Sequence, residues 1–296
     1  MGLRLPNTEA IYAACRGTVN IAMVDYRGYG ESSGKPDEEG LGRDIDAVLC
    51  HLRTSGDVDP ENIYVFGRSL GGAVAVRGAV GSERGTVRGL VLENTFTCVA
   101  DMVDRLMPSL RLVKGLVLRI YWPTEERLRT LGDVPTLFIS GSKDALIPPA
   151  FMARNYKAHP GPETHKHFVR VVSGEHNDTW QRGGWRYYAE MFKFIRRTAT
   201  PGAAEAMHVP TRQWWEGWGR RGDLVLWRRA REQRTPRAAT SPAAEAKAPS
   251  AEALAAAAVA AARAATSLPR PPGTRAAAAG GVTVAGAAAG QVEDVD

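Results

Sequence analysis

Three side chains in this sequence have the types and the order needed for nucleophilic attack on an acyl carbon: Ser69, Asp144 and His176. A serine hydroxyl is a weak nucleophile alone. It needs an imidazole to take its proton, and the imidazole needs a carboxylate to fix its tautomer. Ser69 lies in Gly67-Arg68-Ser69-Leu70-Gly71, between the β-prone run 62–67 and a helix pattern over 70–80 rich in small residues. A strand, a tight G-x-S-x-G turn and an immediate helix expose the hydroxyl and set it beside a helix N-terminus. Small neighbours at Gly67 and Gly71 suit a strained serine, and Gly72, Ala73 and Ala75 suit close packing of the helix. The backbone N–H of Leu70 is the expected first oxyanion donor. The alternative is a serine with no role beyond a tight strand-to-helix turn.

Asp144, in "SGSKDALIPP", follows the apolar run 135–141, and His176, in "SGEHNDTW", follows the run 167–174. Both are therefore expected at the carboxyl ends of strands, where open α/β sheets carry their sites. Competitors exist for each role. Glu93 ends the run 89–94 and is a second candidate acid, while Asp178 suits the N-cap of a following helix. Among the histidines, His51 falls on the polar side of a helix pattern. His159, His165 and His167 surround a Pro/Gly-rich turn, where solvation is expected, and His208 lies beyond the periodic region.

The elements that must position these groups alternate in type. Helix patterns cover 4–15, with Asn7 or Thr8 as a cap, and then 38–53, 70–80, 149–158 and 180–197. Continuous apolar runs at 19–25, 62–67, 89–94, 135–141 and 167–174 read as buried strands. Such alternation predicts an α/β fold: a mainly parallel sheet with helices on both faces. The longer piece between 94 and 135 reads as two or three helices broken at Pro108 and Pro123, placed to cap the site.

Composition bounds the rest. The chain has 296 residues, 44% hydrophobic and 24% charged, which permits a sizeable core. It divides into a domain over 1–198, a Trp/Arg-rich extension over 199–235 and an Ala/Pro/Gly-rich tail over 236–296. The tail buries too little apolar surface to offset its ordering entropy and is expected to be disordered. In the extension, Trp214, Trp215, Trp218 and Trp227 among arginines suit a membrane interface or cation–π contacts, the alternative being an unstructured appendage. The net charge of +6 is scattered rather than gathered in a basic block, and no nucleic-acid module is present, so nucleic acid is not an expected partner. Cys15, Cys50 and Cys98 match no metal spacing and read as buried thiols. No cofactor or metal motif appears. No apolar run reaches the roughly 18 residues that span a bilayer, and no signal peptide opens the chain.

Taken in order, "VDYRGYGESSG", "FGRSLGGAVA", "ENTF", "FISGSKDALIPP" and "HNDTW" resemble the α/β-hydrolase superfamily over about residues 3–197. The resemblance is to the branch of α/β hydrolase domain-containing protein 13, which is serine-aminopeptidase-like and related to depalmitoylating thioesterases. It implies Ser69 as nucleophile, Asp144 as acid, His176 as base, and a membrane-associated hydrolase of esters or thioesters. The expected partners are a small-molecule or acylated-protein substrate and a peripheral membrane contact; a peptidase, or a catalytically impaired binding protein, is the alternative. Members of the branch carry an anchor and further strands before the point where this chain starts. A His-Gly-Asn loop there supplies the second oxyanion donor, so the chain reads as N-terminally incomplete, without that donor and with 19–25 as its edge strand.

Overall fold

A computed structural model describes residues 4–110, 118, 120–220 and 292–295, without side-chain detail at 110, 217–220 and 292–295. Helix α1 (Leu5–Ala14) and α2 (Glu38–Thr54) precede β1 (Tyr64–Arg68), α3 (Leu70–Gly81) and β2 (Gly89–Glu93). Then follow α4 (Val99–Leu106), a 3₁₀ turn (Pro108–Leu110), α5 (Thr124–Leu128), β3 (Thr136–Gly141), α6 (Pro149–Ala158), β4 (Lys166–Val171) and α7 (Thr179–Thr198). Two short helices, α8 (Pro201–Ala206) and α9 (Arg212–Arg220), and a last strand β5 (Val292–Val295) complete the described elements.

The sheet order is β1-β2-β3-β4-β5, with every pair parallel. Successive side chains of a strand face opposite sides, and each side has its own core. Leu90, Leu92, Phe138 and Phe168 meet Leu41, Ile45 and Leu49 of α2, the small residues of α3 and Met152 of α6. Val91, Leu137, Ile139, Val169 and Val171 meet Ala10 and Ala14 of α1 and Tyr187, Tyr188 and Phe192 of α7. This two-faced burial is why the strands read as continuous apolar runs.

Several expectations are corrected. The segment 19–25 forms no strand, and β1 is the edge of the sheet instead. A run becomes a strand only by pairing, and among the described residues 19–25 has no ladder partner; Ile21, Val24 and Phe66 are left exposed. Helix α1 is capped at Arg4, with Pro6 in its first turn, so Asn7 and Thr8 lie inside it. Asn7 is buried and accepts from Tyr188 Oη at 3.1 Å. Cys15 is buried as expected, but Cys50 is exposed and Cys98 half-buried.

The extension does not start as a loose appendage. Met207 is buried, and the Trp214 and Trp215 rings lie 6.0 and 5.6 Å from that of Tyr188. Trp215 packs beside Gly184, which breaks α7 with a φ of 52° that a larger residue would resist. Trp227 lies outside the described residues, as does the tail apart from 292–295. Those four residues form β5 and pair with β4, Phe168 opposite Val292.

Candidate active site

Ser69 joins β1 to α3 with φ 56° and ψ −125°, the strained turn that the motif predicts. Its N–H donates to Glu93 O at 3.0 Å, and its carbonyl accepts from Thr95 Oγ1 at 2.6 Å. The end of β2 thus grips the turn on both sides of the serine. The glycines act unequally. A Cβ at Gly67 would lie 2.3 Å from Gly71 O, and one at Gly72 would lie 2.6 Å from Thr95 Oγ1. At Gly71 the nearest atom would be Tyr26 Oη at 3.7 Å, which is ordinary contact. The tight approach is therefore made at Gly67 and Gly72, not at Gly71. Leu70 opens α3, where the first amides have no intrahelical acceptor, so its N–H is free to meet an oxyanion.

Asp144 follows β3 and is 4% exposed. Its Oδ1 accepts from the N–H groups of Leu146 (2.9 Å) and Ile147 (2.8 Å), while Oδ2 meets His176 Nδ1 at 2.7 Å. Both oxygens of this buried carboxylate are satisfied, and the bond to Nδ1 turns the other ring nitrogen away as a proton acceptor. Among the described residues Ser69 Oγ makes no hydrogen bond. Arg68 beside it reaches the histidine loop, its Nη1 lying 2.5 Å from His176 O and 2.9 Å from Asn177 Oδ1.

Glu93 ends a neighbouring strand but points to the other face, toward α1 and α7. Its Oε2 accepts from Tyr187 Oη at 2.6 Å, and among the described residues its fully buried Oε1 has no partner. Burial pushes this carboxyl up, against the pull of the Tyr187 bond and the charge of Arg4. A carboxyl held toward its neutral form is ill suited to orient an imidazolium, so the geometry separates the two candidate acids.

The other histidines are placed too. His159 is buried, contrary to the expected solvation, with Nε2 at 2.9 Å from Val134 O and Nδ1 accepting from Gly161 N–H at 3.0 Å. His167 pairs with Glu190 at 3.4 Å, and His51 is exposed. Asp178 holds the N-cap position of α7, yet its carboxylate accepts from Glu175 N–H and Arg182 rather than capping. Sequence reasoning gave no role to Asn94, Thr95 and Thr179, although they stand in "ENTF" and "HNDTW". It also missed Tyr26, whose hydroxyl burial and the nearby Asp44 push up to about 12. Among the described residues no group of three or more His, Cys, Asp or Glu side chains is placed to hold a metal ion. Nor is any helix there long and apolar enough to cross a membrane.

No family model matches the sequence. The alpha/beta hydrolase domain-containing protein WAV2 of Arabidopsis thaliana is 38% identical over 193 residues, covering 61% of each chain. Protein bem46 of Schizosaccharomyces pombe is 32% identical over 185 residues, covering 62% of this chain and 60% of that one. The chain thus spans about three fifths of the length of these curated relatives. Among solved structures, DcsB in complex with its substrate analogue is similar at a TM-score of 0.47 and 18% identity, covering 59% of this chain and 79% of that one. Over this part of their length the chain is similar in sequence to α/β hydrolase domain-containing relatives, and it has a parallel sheet with a serine turn between strand and helix.

Proposed function

We propose that the protein is a serine hydrolase of carboxylic esters or thioesters. In this reading Ser69 attacks the acyl carbon as His176 takes its proton, and Asp144 holds the imidazole tautomer. The Leu70 N–H stabilises the oxyanion. Collapse of the tetrahedral intermediate expels the alcohol or thiol, protonated by His176, and leaves an acyl-Ser69 ester. Water activated by His176 then releases the acid. The observation that carries the reading is the 2.7 Å His176–Asp144 bond at the same sheet end as a serine held at φ 56°.

The resemblance to the branch of α/β hydrolase domain-containing protein 13 favours acylated proteins or lipid-like esters, at a membrane surface, over peptides. The unbonded Ser69 Oγ favours a second reading, an impaired hydrolase that binds acyl groups without turning them over; catalytic hydrogen bonds often tighten only with substrate bound. A fluorophosphonate probe separates the two. The parent chain should be labelled and Ser69→Ala should not, with p-nitrophenyl ester and acyl-thioester turnover following the same pattern. Equal labelling of both chains would reject the nucleophile assignment, and labelling without turnover would favour the binding protein.

A further inference from the structure

The loop that carries His176 is tied to the sheet by a side chain outside the expected catalytic set. Asn94 follows β2 in the left-handed region, φ 45°, and is 1% exposed. Its Oδ1 accepts from Gly141 N–H, at the end of β3, at 2.8 Å. A backbone amide can only donate, so this contact fixes the orientation of the Asn94 amide. Nδ2 must then face the histidine loop, and it lies 2.8 Å from Thr179 Oγ1, 3.3 Å from Glu175 O and 3.4 Å from His176 O. Thr179 Oγ1 donates its single proton to Glu175 O at 2.6 Å, so it accepts from Asn94. Packing leaves no slack: a Cβ on Gly141 would meet Thr179 Oγ1 and Gly174 O, each at 2.6 Å.

We propose that Asn94, acting with Thr179, is a positioning residue that clasps the aspartate-bearing end of β3 to the histidine loop and so keeps His176 Nδ1 on Asp144. Asn94 grips the loop from the buried side and Arg68 from the exposed side, both reaching His176 O. The backbone conformation explains the residue type: asparagine is among the few non-glycine residues that enter the left-handed region readily. Only the catalytic consequence rests on the hydrolase reading; the clasp itself does not.

The test uses the full chain labelled with ¹⁵N-histidine and compares the parent with Asn94→Gly, Thr179→Val and Thr179→Ser. Glycine keeps the left-handed backbone and removes the clasp, valine removes the hydroxyl at nearly constant volume, and serine restores it. The far-downfield proton of His176 Nδ1–H should be present in the parent, in Thr179→Ser and in Ser69→Ala. It should be lost or broadened by exchange in Asn94→Gly and Thr179→Val, while circular dichroism shows both folded. Fluorophosphonate labelling should slow on the order of tenfold to a hundredfold in the same two variants and recover in Thr179→Ser. An unchanged resonance in folded Thr179→Val, or no such resonance in the parent, overturns the clasp. Should Asn94→Gly fail to fold, Thr179→Val against Thr179→Ser carries the test. A parent that shows the resonance but takes no label would reject the serine-hydrolase reading and leave the clasp standing.

Discussion

Replacing Gly72 by alanine should damage the protein, whereas the same change at Gly71, a glycine of the G-x-S-x-G motif itself, should not. A Cβ on Gly72 would sit 2.6 Å from both Cβ and Oγ1 of Thr95 and 3.0 Å from its Cγ2. Non-bonded carbon atoms prefer about 3.5–4.0 Å, so the overlap approaches 1 Å. Thr95 cannot yield cheaply: it is fully buried and its hydroxyl holds Ser69 O at 2.6 Å. Overpacking of this kind costs about 1–3 kcal/mol. Loss of the Thr95 hydrogen bond adds about 0.5–1.5 kcal/mol, and the better helix propensity of alanine returns up to about 1 kcal/mol. The net expectation is a loss of about 0.5–4.5 kcal/mol on those terms.

At Gly71 a new Cβ would find, beyond its own helix and among the described residues, Tyr26 Oη at 3.7 Å, so the propensity gain stands nearly alone. Gly67→Ala should be the worst of the series, because its Cβ would meet the backbone of Gly71 and Gly72, which no rotamer change can move aside. Urea unfolding with an unchanged m-value measures the three differences. The reasoning is refuted if Gly71→Ala destabilises as much as Gly72→Ala, or if Gly72→Ala stays within about 0.5 kcal/mol of the parent, the usual range for a neutral surface change.

Three further outcomes are expected. Burial holds the Glu93 carboxyl above its ordinary value of 4.5, so the folded chain keeps a proton that the unfolded chain releases. Stability should therefore fall as pH rises from about 4.5 toward the folded-state value. Glu93→Gln, which can still accept from Tyr187, should flatten that decline in urea midpoints measured at pH 4.5 and 7; a slope equal to the parent's would contradict the burial argument. Trp215→Ala, which empties the contacts with Tyr188 and Gly184, should cost about 1–3 kcal/mol, less than a fully buried tryptophan. No change in thermal midpoint would mean that the helix Arg212–Arg220 adds nothing to stability. Finally, any self-association of the parent in sedimentation velocity should weaken in Ile21→Thr together with Phe66→Lys, since both side chains lie exposed, Phe66 on β1, the edge strand among the described residues; association equal to the parent's would refute this.

The parts of this fold that the sequence announces are those whose causes are local. The turn at Ser69 needs a glycine where Gly71 O crowds Gly67, and that need stands in the sequence as a motif. Asp144 and His176 each follow an apolar run, and a parallel sheet carries both runs to the same end, where their side chains meet at 2.7 Å. Features that depend on a partner far along the chain were not legible. The run 19–25 has the composition of a strand, but composition supplies no ladder partner. Trp214 and Trp215 look like surface aromatics until Gly184 breaks α7 and makes room beside Tyr188.

The choice between the two acids shows the same division at the scale of a single oxygen. Glu93 and Asp144 both stand at the ends of adjacent strands, and a list of residue types cannot rank them. Strand parity does part of the work: Glu93 shares a face with Val91 and turns to α7. Donor supply does the rest. The loop after β3 folds the N–H groups of Leu146 and Ile147 onto Asp144, whereas among the described residues Glu93 finds one hydroxyl and leaves an oxygen unpaired. The turn "DALIPP", which sends two backbone amides back to its own aspartate, is thus the part of the sequence that makes Asp144, rather than Glu93, fit to hold a histidine.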